Sequence, residues 1–100
     1  MIRHIIMFKF TDIKSKKEKL EKIEKTKTTF GSLKSRIDVI QSYEIGTNLK
    51  HTNLSYDLVI ISEYKSWDDL NTYINHIEHK KAISICADIK KDKAIIDYEY

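Results

Sequence analysis

The side chains best suited to chemistry in this chain are His4, near the start, and the close group Tyr73, His76 and His79. An imidazole has an ordinary pKa of about 6.5, so it can take or give a proton near neutral pH. His76 and His79 stand three apart, a spacing that one helix face can offer to a metal, with His4 as a third nitrogen. No cysteine or carboxylate obviously completes that set, and Asp57 joins it only if its strand face is the right one. The expectation is therefore no metal site and no cofactor. His76 reads as a helix-start or surface residue. Cys86, the only cysteine, lies on an apolar helix face and reads as a buried structural thiol.

What these residues can do depends on how the second helical region is built. Ser66 with Asp69 three residues later is a variant capping box, and Trp67, Leu70, Tyr73, Ile74 and Ile77 then recur at helical spacing. That stripe is expected to face a sheet. An unbroken helix carries His79 about 120° away from Trp67, off the stripe. A helix restarted near His76 instead groups His79 with Ala82, Ile83 and Cys86 on an inward face. We therefore read a break around Asn75-His76, with His79 directed between helices and sheet.

The rest of the chain alternates in period. Residues 1–10, 38–46, 56–64 and 93–100 read as strands, with charged helical stretches after the first and third. A β-α-β-β-α-β order in 100 residues implies an α+β ferredoxin-like sandwich, an antiparallel sheet with helices on one face and the second helical region split in two. The first helix has a narrow stripe of Ile13, Leu20, Ile23 and Phe30 continuing to Leu33, with the stems of Lys16 and Lys27 beside it and Gly31 as an interruption. Gly46 is expected to close the second strand in a turn, and residues 47–55 form a long polar connection that could serve the site. The strands are apolar on both faces. Ile2, Ile6, Phe8 and Phe10 oppose Ile5 and Met7, and Leu58 and Ile60 oppose Val59 and Ile61. Helices cover one face only, so the face bearing Ile5, Met7, Val59 and Ile61 predicts a homodimer with sheets packed back to back.

Composition narrows the function classes. One hundred residues make one domain, 1–100, and 41% hydrophobic with 33% charged residues suits a folded globular chain. No apolar run approaches a membrane span or a signal-peptide core, and one cysteine cannot form an internal disulfide, so the expected location is cytoplasmic. The net charge of +3 arises from 18 basic and 15 acidic residues mixed along the chain. Glu18–Lys22 and Glu21–Lys25 are spaced to pair along a solvated helix. The glycine-containing aromatic signature of RNA-stacking sheets is missing from residues 56–64, so no nucleic-acid partner is expected.

Five segments carry a resemblance to a known family. They are Ile2-Arg-His-Ile-Ile-Met-Phe-Lys-Phe10, Tyr43-Glu-Ile-Gly-Thr-Asn48, Tyr56-Asp-Leu-Val-Ile-Ile-Ser-Glu-Tyr64, Tyr73-Ile-Asn-His-Ile-Glu-His-Lys80 and Ile96-Asp-Tyr-Glu99. In this order, over nearly the whole chain, they resemble the stress-responsive dimeric α/β-barrel (Dabb) domain. That family usually has proline after the first histidine of the helical region, where this chain has Ile77. The resemblance implies a ferredoxin-like monomer whose sheets pair into a dimeric barrel. Its roles range from stress-induced stable proteins to cofactor-free polyketide cyclases, in which a histidine and a tyrosine drive an aldol closure. Those positions fall on His79 and Tyr73, and the family's frequent histidine near the first strand falls on His4.

A cavity is accordingly expected between the helices and the sheet face carrying His4, Ile6 and Phe8, lined by Phe30, Leu58, Tyr73, His79 and Ile83. Small apolar, aromatic or polyketide-like ligands fit such walls. Two function classes follow. One is a stress-associated homodimer that binds such a ligand without turnover. The other is a cofactor-free enzyme, cyclase-like or related to barrel monooxygenases, using His79 and Tyr73 as an acid/base pair.

Overall fold

The computed structural model describes residues 1–100. Strand β1 (Ile2–Phe10) leads into helix α1 (Lys16–Gly31) and a 3-10 turn (Ser32–Ser35). Strands β2 (Ser42–Thr47) and β3 (Leu58–Tyr64) follow, then helices α2 (Trp67–Asn75) and α3 (Ile77–Ile85), and strand β4 (Lys91–Glu99). The sheet order is β2-β3-β1-β4, and every pairing is antiparallel. This is the expected α+β ferredoxin-like architecture, with three helices on one face.

Strand parity divides the side chains as alternation requires. Ile2, His4, Phe8 and Phe10 of β1, and Leu58, Ile60, Ser62 and Tyr64 of β3, are buried under the helices. Ile5, Met7, Val59 and Ile61 fall on the opposite face, joined there by Ala94 and Ile96, which pair with Met7 and Ile5. That second apolar face has no cover within the chain, and Ile96 is exposed. Arg3 belongs to the same face, where it donates to Glu63 and to the Tyr98 hydroxyl and lies 4.1 Å from the Tyr100 ring centroid.

Helix α1 begins at Ser15, whose hydroxyl accepts from the Glu18 N–H. Ile23 and Phe30 of the expected stripe are buried, as is Leu33 beyond it, but Thr26 takes the place expected for Leu20. Ile13 precedes the helix, and Leu20 is 54% exposed. Thr26 takes the core position because its hydroxyl donates to the Lys22 carbonyl at 2.9 Å, which leaves a methyl group for packing. The helix charges also pair differently. Lys25 reaches Asp88 at 3.3 Å and Lys19 reaches Asp57 at 2.7 Å, so the cations tie α1 to neighbouring segments instead of to Glu18 and Glu21.

Asp57 is a structural clamp. Its carboxylate accepts from the Phe10 backbone N–H at 2.8 Å as well as pairing with Lys19, and its own N–H donates to the Phe8 carbonyl. Both oxygens are occupied, which removes it from any ligand set. The second strand starts later than its sequence suggests, because Ile37 and Ile40 sit in turns that follow the 3-10 segment and bury both side chains. Gly46 lies inside β2 rather than ending it, and a Cβ there would stand 3.2 Å from Val59 Cγ1.

Candidate functional site

The break between α2 and α3 falls at His76, whose extended backbone (φ −66°, ψ 141°) ends one helix and starts the next. Its Nδ1 accepts from the Glu78 N–H at 3.0 Å, so this ring acts as a helix cap. In an unbroken helix the Glu78 N–H would have bonded to the Ile74 carbonyl. The break frees that carbonyl, and His79 Nδ1–H donates to it at 2.9 Å. One local distortion therefore orients the second histidine and fixes its tautomer, leaving Nε2 as an acceptor.

His79 stands over Tyr73, with ring centroids 4.5 Å apart, and meets Phe30 edge-on at 6.3 Å. Burial pushes its pKa below the ordinary 6.5; the bond to Ile74 opposes this, and nearby His4 and Lys93 reinforce it. Its neutral form therefore dominates near pH 7. Tyr73 is buried and shares a hydroxyl hydrogen bond of 3.0 Å with Tyr43. Burial, then the neighbouring Tyr43, drives the Tyr73 pKa far above 10, so this phenol stays protonated and serves as a donor. His4 is buried in β1 and donates through Nδ1 to the Asp97 carboxylate on β4. The only buried side-chain polar atom without a partner is Thr47 Oγ1, so the free Nε2 atoms of His4 and His79 reach open space instead of closed core.

That space is a cavity of about 690 Å³ between α2, α3 and the sheet. His4, Ile6, Phe8, Phe30, Tyr73, His79 and Ile83 all line it. Leu58 does not; it pairs with Phe8 and Thr47 and is closed off within the core. No residue of the 47–55 connection lines the cavity either. Of the stripe expected to face the sheet, Leu70 and Tyr73 are buried and Ile74 lines the cavity at its edge, whereas Trp67 and Ile77 are exposed. Trp67 instead donates to Glu99 at 2.6 Å. Cys86 is buried and forms part of the cavity wall.

Asp97 and Tyr43 were missed as partners in the sequence. Both lie in motif segments, but their roles depend on strand register, with Asp97 opposite His4 and Tyr43 opposite Ser62. Nothing local reveals that register. No group of three or more histidine, cysteine, aspartate or glutamate side chains is arranged to hold a metal ion.

The model of the stress responsive A/B barrel domain, Dabb, matches residues 2–100. The chain belongs to this family. Its Dabb fold is similar to a dimeric protein of unknown function with a ferredoxin-like fold from Bacteroides fragilis. That match has 32% identity and a TM-score of 0.87, covering 99% of this chain and 95% of that one. A dimeric ferredoxin-like protein from Thermobifida fusca is similar at 23% identity and TM-score 0.82, covering 99% of this chain and 90% of that one. A hydroxynitrile lyase from Passiflora edulis shares the fold at 17% identity and TM-score 0.67, with 99% and 95% covered. No curated protein matches the sequence. No helix of the Dabb chain is long and apolar enough to cross a membrane.

Proposed function

We propose that this Dabb chain acts as a cytoplasmic homodimer that binds a small apolar or aromatic molecule between its helices and sheet, with His79, Tyr73 and His4 as polar anchors. The observation that carries the reading is the 690 Å³ cavity, which has mainly apolar walls and two histidines each offering an unpaired Nε2. Drug-sized ligands occupy cavities of roughly 300–1,000 Å³ with this mixture of surfaces. The dimer is supported by the neighbours described as dimeric ferredoxin-like proteins and by the uncovered face bearing Ile5, Met7, Val59, Ile61 and Ile96. A role in stress response follows the family's description.

Native mass spectrometry of protein taken from its own host tests both parts. The expected result is a dimer carrying a small molecule, lost or weakened in His79→Ala. A stable monomer at micromolar concentration in light scattering would remove the dimer.

One observation favours a second reading, cofactor-free proton transfer. His79 has the tautomer, the lowered pKa and the free Nε2 of a general base, and Tyr73 is a neutral donor in contact with it. When Tyr43 donates to Tyr73, the Tyr73 proton is free for a ligand oxygen on which enolate charge develops. His79 would then remove a proton from an adjacent acidic carbon and return it later. Turnover of an activated carbonyl compound by the wild-type protein, lost in His79→Ala, separates this reading from binding alone.

A further inference from the structure

The cavity wall has a one-sided charge. Lys90, Lys91 and Lys93 line it together with His4 and His79, and no aspartate or glutamate does. The three ammonium groups are not equivalent. Lys91 Nζ donates to the Cys86 and Ile89 carbonyls at 2.9 and 2.8 Å, closing the turn after α3. Lys90 pairs with Asp12 at 3.4 Å. Lys93 has neither an ion pair nor a hydrogen bond. It projects from β4 on the helix side of the sheet, opposite Phe8 and one alternation from Ile95, and its charge is felt at His79. The nearest carboxylate on that strand face, Asp97, is committed to His4.

Lys93 is exposed at the rim of an apolar cavity, so its ammonium is free to meet an anion whose apolar body enters that cavity. We infer that the cavity takes an organic acid, its apolar body between helices and sheet and its carboxylate on Lys93 Nζ. The inference rests on the ligand-binding reading above and deepens it by naming the ligand's polar end. The carboxylate lies near His79, which places an apolar or aromatic skeleton against Tyr73 and Phe30.

The test uses matched pairs of carboxylic acids and their primary amides on one-ring, two-ring and linear aliphatic skeletons, titrated calorimetrically into the intact dimer. For the skeleton that fits, the acid is expected to bind about tenfold more tightly than its amide, the size of one charge-assisted hydrogen bond. Lys93→Met should bring the acid down to the amide's affinity and leave the amide unchanged. Lys50→Met, which removes the same charge from a loop that does not line the cavity, should alter neither. Equal affinity of acid and amide, or a Lys93→Met loss shared by both, overturns the inference and leaves ligand binding standing. If no compound of any skeleton binds, both fall together.

Discussion

Two strips of the helix-facing sheet surface, separated by β1, differ sharply. Along β3, Leu58, Ile60, Ser62 and Tyr64 are 2, 1, 0 and 0% exposed. Along β4, Ile95 remains 58% exposed, and Lys93, Asp97 and Glu99 are exposed as well. The covered strip belongs to one buried core with Ile23, Phe30 and Leu33 of α1 and the 3-10 turn and with Leu70 and Tyr73 of α2. The uncovered strip is at the outer edge of the sheet, beyond the reach of two short helices that meet at His76. One strip supplies cohesion. The other gives up burial and gains a cavity with titratable walls. Substitutions in the two strips should therefore fail in different assays.

The largest expected effect is in the closed half. Leu33→Ala should cost about 2–5 kcal/mol in chemical denaturation, because a 1% exposed side chain leaves a hole that close packing cannot refill. Ile95→Ala, across the cavity, should cost under about 1 kcal/mol while altering ligand affinity. A similar stability loss for both would erase the contrast. Asp57→Ala should cost about 1–3 kcal/mol, since it leaves the Phe10 N–H unpaired in the core and strands Lys19.

The outer face offers a different break. Val59→Lys with Ile61→Lys places two charges in the proposed seam, and light scattering should report dissociation or aggregation with the cavity intact. Within the cavity, His79→Ala should abolish anchoring of a polar ligand group, and Tyr73→Phe should weaken it less, since only a hydroxyl is lost.

The smallest effect is in pH dependence. The folded-state pKa of His79 lies below its unfolded value of 6.5, chiefly through burial. The neutral ring's contribution to stability is thus present above pH 6.5 and lost as pH falls through the folded pKa. Wild type should lose stability relative to His79→Ala over that window in thermal unfolding. Lys93→Met should raise the His79 midpoint slightly in an NMR titration, as one of the lesser charges holding it down is gone.

The same contrast explains what could be read from the sequence. Alternation placed the inward and outward residues of β1 and β3 correctly because both strands are central, with one face pressed on helices. The helix break was legible in the mismatch between the Trp67 stripe and His79. Harder to read was anything set by partners far along the chain. Leu20 looks like core by type, yet Thr26 occupies that role because its hydroxyl bonds to its own helix. Asp97, Tyr43 and Lys93 acquire meaning only from strand pairings whose register no local pattern encodes.

Isoleucine methyl NMR tests the central claim most directly, because the isoleucines report separately on the two faces. Ile6, Ile60, Ile74, Ile83, Ile89 and Ile95 line the cavity, while Ile5, Ile61 and Ile96 lie on the opposite sheet face. Titration of the protein with small aromatic compounds should shift the cavity methyl signals and leave the other three in place. Silent cavity methyls across the whole series, or shifts confined to Ile5, Ile61 and Ile96, would contradict the account.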